Sequence, residues 1–151
     1  MAKLDPHIAL TSEEIDRVMT TEATCRIATI GPGTDINLTP MTFGWAGGKV
    51  YIFGRGQKIA NLRRNPTATV LVDTGERWQE LTGVMLRGTA TVLETAETEA
   101  ADPDLAAAKA NIGTKHGLDG PYPASASGKS RRWIVFEPRR VVSWDNAKLN
   151  G

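Results

Sequence analysis

The sequence predicts a mainly β protein: a small antiparallel β-barrel or sandwich of six or seven strands with helices at its ends. Three observations predict it. Short segments with period-2 alternation, rich in Val, Ile and Thr, recur along most of the chain. Turn signals such as Gly31-Pro32-Gly33, Gly47-Gly48 and Thr74-Gly75 fall between them at short intervals. Helical periodicity is confined to the start, to one stretch between two strands and to a late segment, which is not the regular alternation of a parallel βαβ sheet.

In chain order, Thr11-Ser12-Glu13-Glu14 is a capping-box sequence, and Ile15, Val18 and Met19 follow at helical spacing to about Thr20. Thr24 to Ile30 reads as a strand with Cys25, Ile27 and Thr29 on one face. Ile36 to Trp45 is the next strand, and Pro40, lacking an N–H, puts it at an edge or a bulge. Ala46-Gly47-Gly48-Lys49 closes a hairpin into the strand Val50 to Gly54. Gly54-Arg55-Gly56 is a hinge, Gln57 to Arg64 a short helix packed through Ile59 and Leu62, and Asn65-Pro66 its stop. Thr67 to Asp73 is a β-branched strand, and Arg77 to Glu94 a long one, bent at Gly83 and Gly88. Thr95 to His116 is helical with a break at Asp102-Pro103, presents Leu105, Ala108 and Ile112, and stops at Gly117. Leu118 to Lys129 is a Gly-, Pro- and Ser-rich loop, mobile unless a ligand or partner orders it. Arg132 to Phe136 and Val141 to Trp144 are two closing strands parted by Glu137-Pro138.

The 151 residues, with no internal repeat or linker, are expected to form one domain, 1–151. A chain of this length buries roughly 68–70% of its unfolded surface and needs neither disulfide nor metal to fold. Eighteen basic against seventeen acidic residues leave a net charge of +1, so neither nucleic acid nor membrane is an expected partner. Cys25 is the one cysteine, expected as a small core residue in a reducing compartment. No apolar run approaches the ~20 residues of a membrane span, and Met1 to Ile8 has no signal-peptide core; a cytoplasmic protein is expected.

The stretch with most chemical content is Gly54 to Lys58. A helix N-terminus with free N–H groups, flanked by Arg55 and Lys58, is an anion site suited to a phosphate. It lacks the Gly-Lys-Ser/Thr ending of a P-loop, and a solvated cationic turn accounts equally well for the same residues. His7, His116 and Cys25 make no metal set, and Ser125, Ser127 and Ser130 have no nucleophile-elbow context. Of four tryptophans, expected by default in the core or an interface, Trp78 and Trp144 are the better candidates to face a flat heteroaromatic ligand.

Three stretches carry a family resemblance. They are Gly54-Arg-Gly-Gln-Lys-Ile-Ala-Asn-Leu-Arg-Arg-Asn-Pro-Thr-Ala-Thr-Val-Leu-Val-Asp73, Glu80-Leu-Thr-Gly-Val-Met-Leu-Arg-Gly-Thr-Ala90 and Val141-Val-Ser-Trp-Asp-Asn-Ala-Lys-Leu149. With the order of elements, they make the chain resemble the pyridoxamine 5'-phosphate oxidase-like split β-barrel flavoproteins. Within that family it looks like the actinobacterial deazaflavin (coenzyme F-420) dependent oxidoreductases. The resemblance runs from about Leu10 to Leu149 and is weakest over 95–130.

It implies a homodimeric split β-barrel with a flavin-type cofactor in each of two clefts between subunits. Arg55, Gln57 and Lys58 would hold the cofactor phosphate, and the backbone of Leu38, Thr39, Pro40, Met41 and Thr42 would run along the tricyclic ring. Ile52 and Phe53 would lie beneath, while Trp78, Glu80 and Trp144 would arrive from the other subunit. Lys129, Arg131 and Arg132 would meet the polyanionic tail of F-420, with solvation an equal account of them. The implied activity is hydride transfer from reduced F-420 to a small unsaturated organic acceptor, the cofactor carrying the chemistry. An FMN-dependent oxidase or reductase on the same fold is the nearest alternative, and a non-catalytic flavin- or haem-binding protein a second. The ending lacks the extra Arg and His of the pyridoxal-phosphate-making members, so vitamin B6 oxidation is not expected.

Overall fold

The structure, a computed structural model, describes residues 6–124 and 131–150. Seven antiparallel strands form one curled sheet: β1 (Thr24–Ile30), β2 (Ile36–Thr42), β3 (Gly44–Ala46), β4 (Lys49–Gly54), β5 (Thr67–Thr74), β6 (Thr82–Leu93) and β7 (Arg132–Asp145). Four α-helices flank it: α1 (Ser12–Thr21), α2 (Gln57–Arg64), α3 (Ala96–Ala101) and α4 (Leu105–Lys115). The strand order is β2-β1-β5-β6-β7-β4-β3, so β2 and β3, neighbours in the chain, stand at opposite edges. One residue, Phe43, lies between them. A link that short forces the edges together and curls the sheet into a half-barrel. Gly54 of β4 accordingly comes beside Met41 of β2: a Cβ added at Gly54 would stand 3.6 Å from Met41 Cε.

The single strand expected over Ile36 to Trp45 is therefore two. Phe43 is fully buried, its N–H donates to the Ala23 carbonyl at 3.3 Å, and Gly44 onward pairs with β4 instead of β1. Gly44 lies so close to α4 that an added Cβ would be 2.5 Å from the Ala108 carbonyl oxygen. Pro40 sits on an edge strand, where its missing N–H costs no ladder bond. The β3–β4 hairpin turns through Gly47 and Gly48, both at positive φ, as a two-residue hairpin of this hand requires.

Two further expectations change. β6 begins at Thr82 rather than Arg77, because Trp78–Glu80 form a 3-10 turn whose Trp78 carbonyl accepts from Asn146 Nδ2 at 2.7 Å. The two closing strands are one, β7, of 14 residues. It stays paired to β6 through a register shift at Arg87/Gly88, and Gly88 leaves room there for the Glu137 carbonyl. Gly83 makes room for the Trp144 indole, which lies across it.

The inward faces of the strands supply the core, with Cys25, Ile27, Val70, Val72, Val84, Leu86 and Ile134 all buried, and α2 closes on it through Ile59 and Leu62. Burial pushes the Cys25 thiol up to about 12. A second cluster on the other side of β4 and β7 packs Tyr51, Trp133 and Val135 under Leu105, Ala108 and Ile112 of α4. The loop after α4 is tied down as far as Ala124, since Tyr122 N–H donates to the Lys109 carbonyl and Trp133 Nε1 to the Ala124 carbonyl. Ser125, Ser127, Lys129 and Ser130 lie outside the described residues. Among the described residues, no helix is long and apolar enough to cross a membrane, and no group of His, Cys, Asp or Glu could hold a metal ion.

Candidate functional site

The site begins where β4 ends. Gly56 takes a φ of 82, open to glycine and strained for other residues, and serves as N-cap of α2 with no side-chain cap bond. The Ile59 N–H donates to the Gly56 carbonyl at 3.1 Å, so the N–H groups of Gln57 and Lys58 are the ones offered to water or a ligand, at the positive end of the helix dipole. Arg55 and Gln57 are exposed beside them. Lys58 behaves differently from the exposed cation its position suggested. Its stem lies across Gly54, where an added Cβ would be 3.2 Å from Lys58 Cδ, and its Nζ donates to the Arg55 carbonyl at 2.9 Å. Burial, then the nearby Arg55 guanidinium, hold the Lys58 amine below its ordinary range. Among the described residues no carboxylate pairs with Arg55 or Lys58. Two cations crowded together without an acid favour an anion.

The second wall is β2, paired on one side only, to β1. Leu38, Pro40 and Thr42 face outward and Asn37, Thr39 and Met41 inward, the inward set being the less exposed. Met41 reaches the Gly54 turn. Asn37 Oδ1 and Thr39 Oγ1 are buried with no hydrogen-bond partner. An unmet buried polar atom costs about 1–3 kcal/mol, so these two mark a place for water or for a polar ligand group. Asn37 was not legible as a site residue, because alternation shows which way it points and not what it lacks. Asn61 was also missed: it is fully buried on α2 and bonds Thr29 of β1 and Gln57.

The remaining candidates divide. Ile52 is buried in the same core cluster that Met41 packs against. Phe53 points to the opposite face of β4, its ring 5.1 Å from Trp133 and 6.5 Å from Tyr122. Trp144 is half-buried over Gly83, and Trp78, 63% exposed, rides with exposed Glu80 on the turn before β6. Trp144 stands twelve residues along β7 from Arg132, the cross-strand partner of Gly54, so it lies at the far end of that strand from the Gly54 turn. Arg132 lies 3.9 Å from the Glu94 carboxylate, and Arg131 is exposed.

A curled antiparallel sheet whose edge strand β2 stands beside an uncapped, cation-flanked helix has the architecture of a split β-barrel. The sequence profile of the pyridoxamine 5'-phosphate oxidase family matches residues 11–145, and the chain belongs to that family. A conserved hypothetical protein, Rv2991 from Mycobacterium tuberculosis, superposes with a TM-score of 0.78 at 25% identity, over 99% of this chain and 94% of that one. The heme storage protein HutZ from Vibrio cholerae superposes with a TM-score of 0.65 at 13% identity, over 88% of this chain and 94% of its own. An F420 Reductase gives a TM-score of 0.60 at 18% identity, over 84% of this chain and 94% of that one. At such identities the last two likenesses establish the fold. A search of curated proteins finds no match.

Proposed function

We propose that the chain is an oxidoreductase that holds a flavin-type cofactor by its phosphate at Gly54–Lys58, with the deazaflavin F-420 as the preferred cofactor. The observation that carries this is the uncapped α2 N-terminus with the acid-free pair Arg55 and Lys58, set beside an edge strand. The residues fit such a group: cations and helix N–H groups for the phosphate, and the unpartnered Asn37 Oδ1 and Thr39 Oγ1 for polar groups beyond it. When bound, a reduced deazaflavin supplies a hydride for a small unsaturated organic acceptor. The chain's own part is to fix the phosphate through Arg55, Gln57 and Lys58 and to line the site with β2. Ile52 backs that wall from the core.

The same reading takes a second copy of the chain as partner. On the outer face, cross-strand neighbours Leu71, Met85 and Val142 form an apolar row that Arg26, ion-paired to Asp73, separates from Pro40, with Leu38 and Ala28 beside it. Leu38 is 62% exposed. Such a face is what a homodimer covers, and the partner's copy of this turn region would supply Trp78, Glu80 and Trp144 to the cleft.

Spectroscopic titration of the purified protein with F-420, FMN and haem tests the reading. Tight, preferential F-420 binding followed by its oxidation with a panel of unsaturated acceptors supports it. Preferential FMN binding replaces the cofactor with FMN, for which the phosphate turn serves equally. Haem binding alone, or F-420 binding with no acceptor consumed, makes the protein a carrier, and binding of none refutes the site.

A further inference from the structure

Asn61 is fully buried on α2, one helical turn after Gln57. A buried amide on the core side of a short helix is costly unless its hydrogen bonds are made. Here they are: Asn61 Nδ2 donates to Thr29 Oγ1 at 3.0 Å, and Asn61 Oδ1 accepts from Gln57 Nε2 at 2.7 Å and from Arg64 Nη2 at 3.3 Å. The network admits one orientation. Arg64 can only donate, so the Asn61 oxygen must face Arg64 and Gln57, which leaves the nitrogen for Thr29. Gln57 must then turn its own nitrogen toward Asn61. Its second N–H and its oxygen are left to face away, at the open N-terminus of the helix.

We propose that Asn61 is a positioning residue of the cofactor turn, acting through Gln57: it holds the Gln57 amide in one orientation so that a directional, uncharged donor stands ready beside the two cations. This rests on reading the Gly54–Lys58 turn as the phosphate site. An exposed glutamine otherwise loses much of its rotamer freedom on meeting a ligand, and a bond to a buried, doubly anchored amide removes that loss in advance. Arg55 and Lys58 give the turn charge; Asn61 gives it direction without touching the ligand. The rival account is that Asn61 only docks α2 onto β1 through Thr29.

A double-mutant cycle separates the two. FMN and F-420 affinities are measured by fluorescence titration for the intact protein, Gln57→Ala, Asn61→Ala and the double variant, with thermal melts in parallel. Loss of one neutral hydrogen bond corresponds to about a fivefold weakening, so Gln57→Ala and Asn61→Ala should each weaken binding about fivefold. The double variant should be no weaker than either, because both remove the same donor. Thr29→Val, which keeps Asn61 but frees it from β1, should weaken binding only where Gln57 is present. It serves as well if Asn61→Ala unfolds. Without ligand, the NMR resonances of the Gln57 side-chain amide protons should be shifted from their free-glutamine positions and protected from solvent exchange, and both signs should be lost in Asn61→Ala and in Thr29→Val. If Gln57→Ala weakens binding and Asn61→Ala and Thr29→Val do not, or if the losses multiply, positioning is overturned and the cofactor site stands. If Gln57→Ala changes nothing, Gln57's part in the cofactor site falls as well.

Discussion

Lys115 of α4 donates through Nζ to the Phe43 carbonyl at 3.1 Å and places that nitrogen 3.5 Å from the Phe43 ring centroid. A single side chain thus secures the one residue that joins the two edges of the sheet. Asn111, one turn earlier, works on either side of it, accepting from Trp45 N–H and donating to the Thr20 carbonyl. The half-barrel is closed by α4 side chains where its edge strands share no ladder.

That closure should respond to pH. Burial pushes the Lys115 amine down to about 7 from its ordinary 10.5. The unfolded chain therefore binds the proton more readily than the folded one between those values, and stability contributed by this group rises with pH across that window. Between pH 7 and 8, below the ordinary value of 9.0 at which the unfolded Cys25 thiol starts to ionise and work the other way, denaturant unfolding should show a rising free energy in the intact protein. Lys115→Met should flatten it; an equal slope in the variant would show that another group titrates.

Gly44→Ala should destabilise by roughly 1–3 kcal/mol, because the new methyl must displace the α4 backbone at Ala108 rather than a side chain. Urea midpoints compared with Gly48→Ala measure it. Gly48 has open space around it, so its cost comes from positive φ alone.

Glu14 of α1 and Lys148 of the 3-10 turn after β7 pair at 2.6 Å, and Lys148 also donates to the Ala9 carbonyl. The Lys148 hydrogen bond, then the Thr11 N–H, lower the Glu14 carboxyl from 4.5 to about 2. A lowered carboxylate contributes stability that is present above 4.5 and lost as pH falls through 2. Acid unfolding followed by circular dichroism should shift to higher pH in Glu14→Gln.

Lys58→Ala should weaken cofactor phosphate binding about tenfold, the worth of one charge-assisted hydrogen bond, and lower stability modestly because its buried stem is lost. An anion favours the charged form of Lys58, so affinity should fall as pH rises through its depressed range, and that fall should vanish in Lys58→Ala. Titration across pH checks both.

Met85→Asp places a carboxylate in the middle of the apolar outer row, between Leu71 and Val142. If a second copy covers that face, sedimentation should show the mass halve and cofactor binding should weaken with it. An unchanged mass would remove this face as the dimer surface.

The sequence showed much of this architecture because its elements are local. Thr11 and Glu14 cap α1 reciprocally, α2 runs from Gln57 to Arg64 as its periodicity indicated, and Leu105, Ala108 and Ile112 are buried together. What alternation could not reveal was a change of partner. Ile36 to Trp45 keeps its β character through Phe43 while passing from one sheet edge to the other. Glu137-Pro138 looked like a break because proline usually ends a ladder; a bulge absorbs it, and β7 continues. At the candidate site the glycine hinge and the cations were legible. The folding-back of Lys58 over Gly54, the unmet acceptors of Asn37 and Thr39, and the Thr29–Asn61–Gln57 chain were not, since each depends on what lies across the fold.

Cys25, the chain's one thiol, sits wholly inside the curled sheet. A thiol reagent can reach it only when the strands around it part, so its labelling rate is a clock for barrel opening. Under rapid reclosing that clock reads the opening equilibrium; with reagent in excess it reads the opening rate itself. A cofactor or partner that binds the closed form should slow the clock, by a factor that reports its own affinity. The molecule thus carries a built-in reporter of everything that holds it shut.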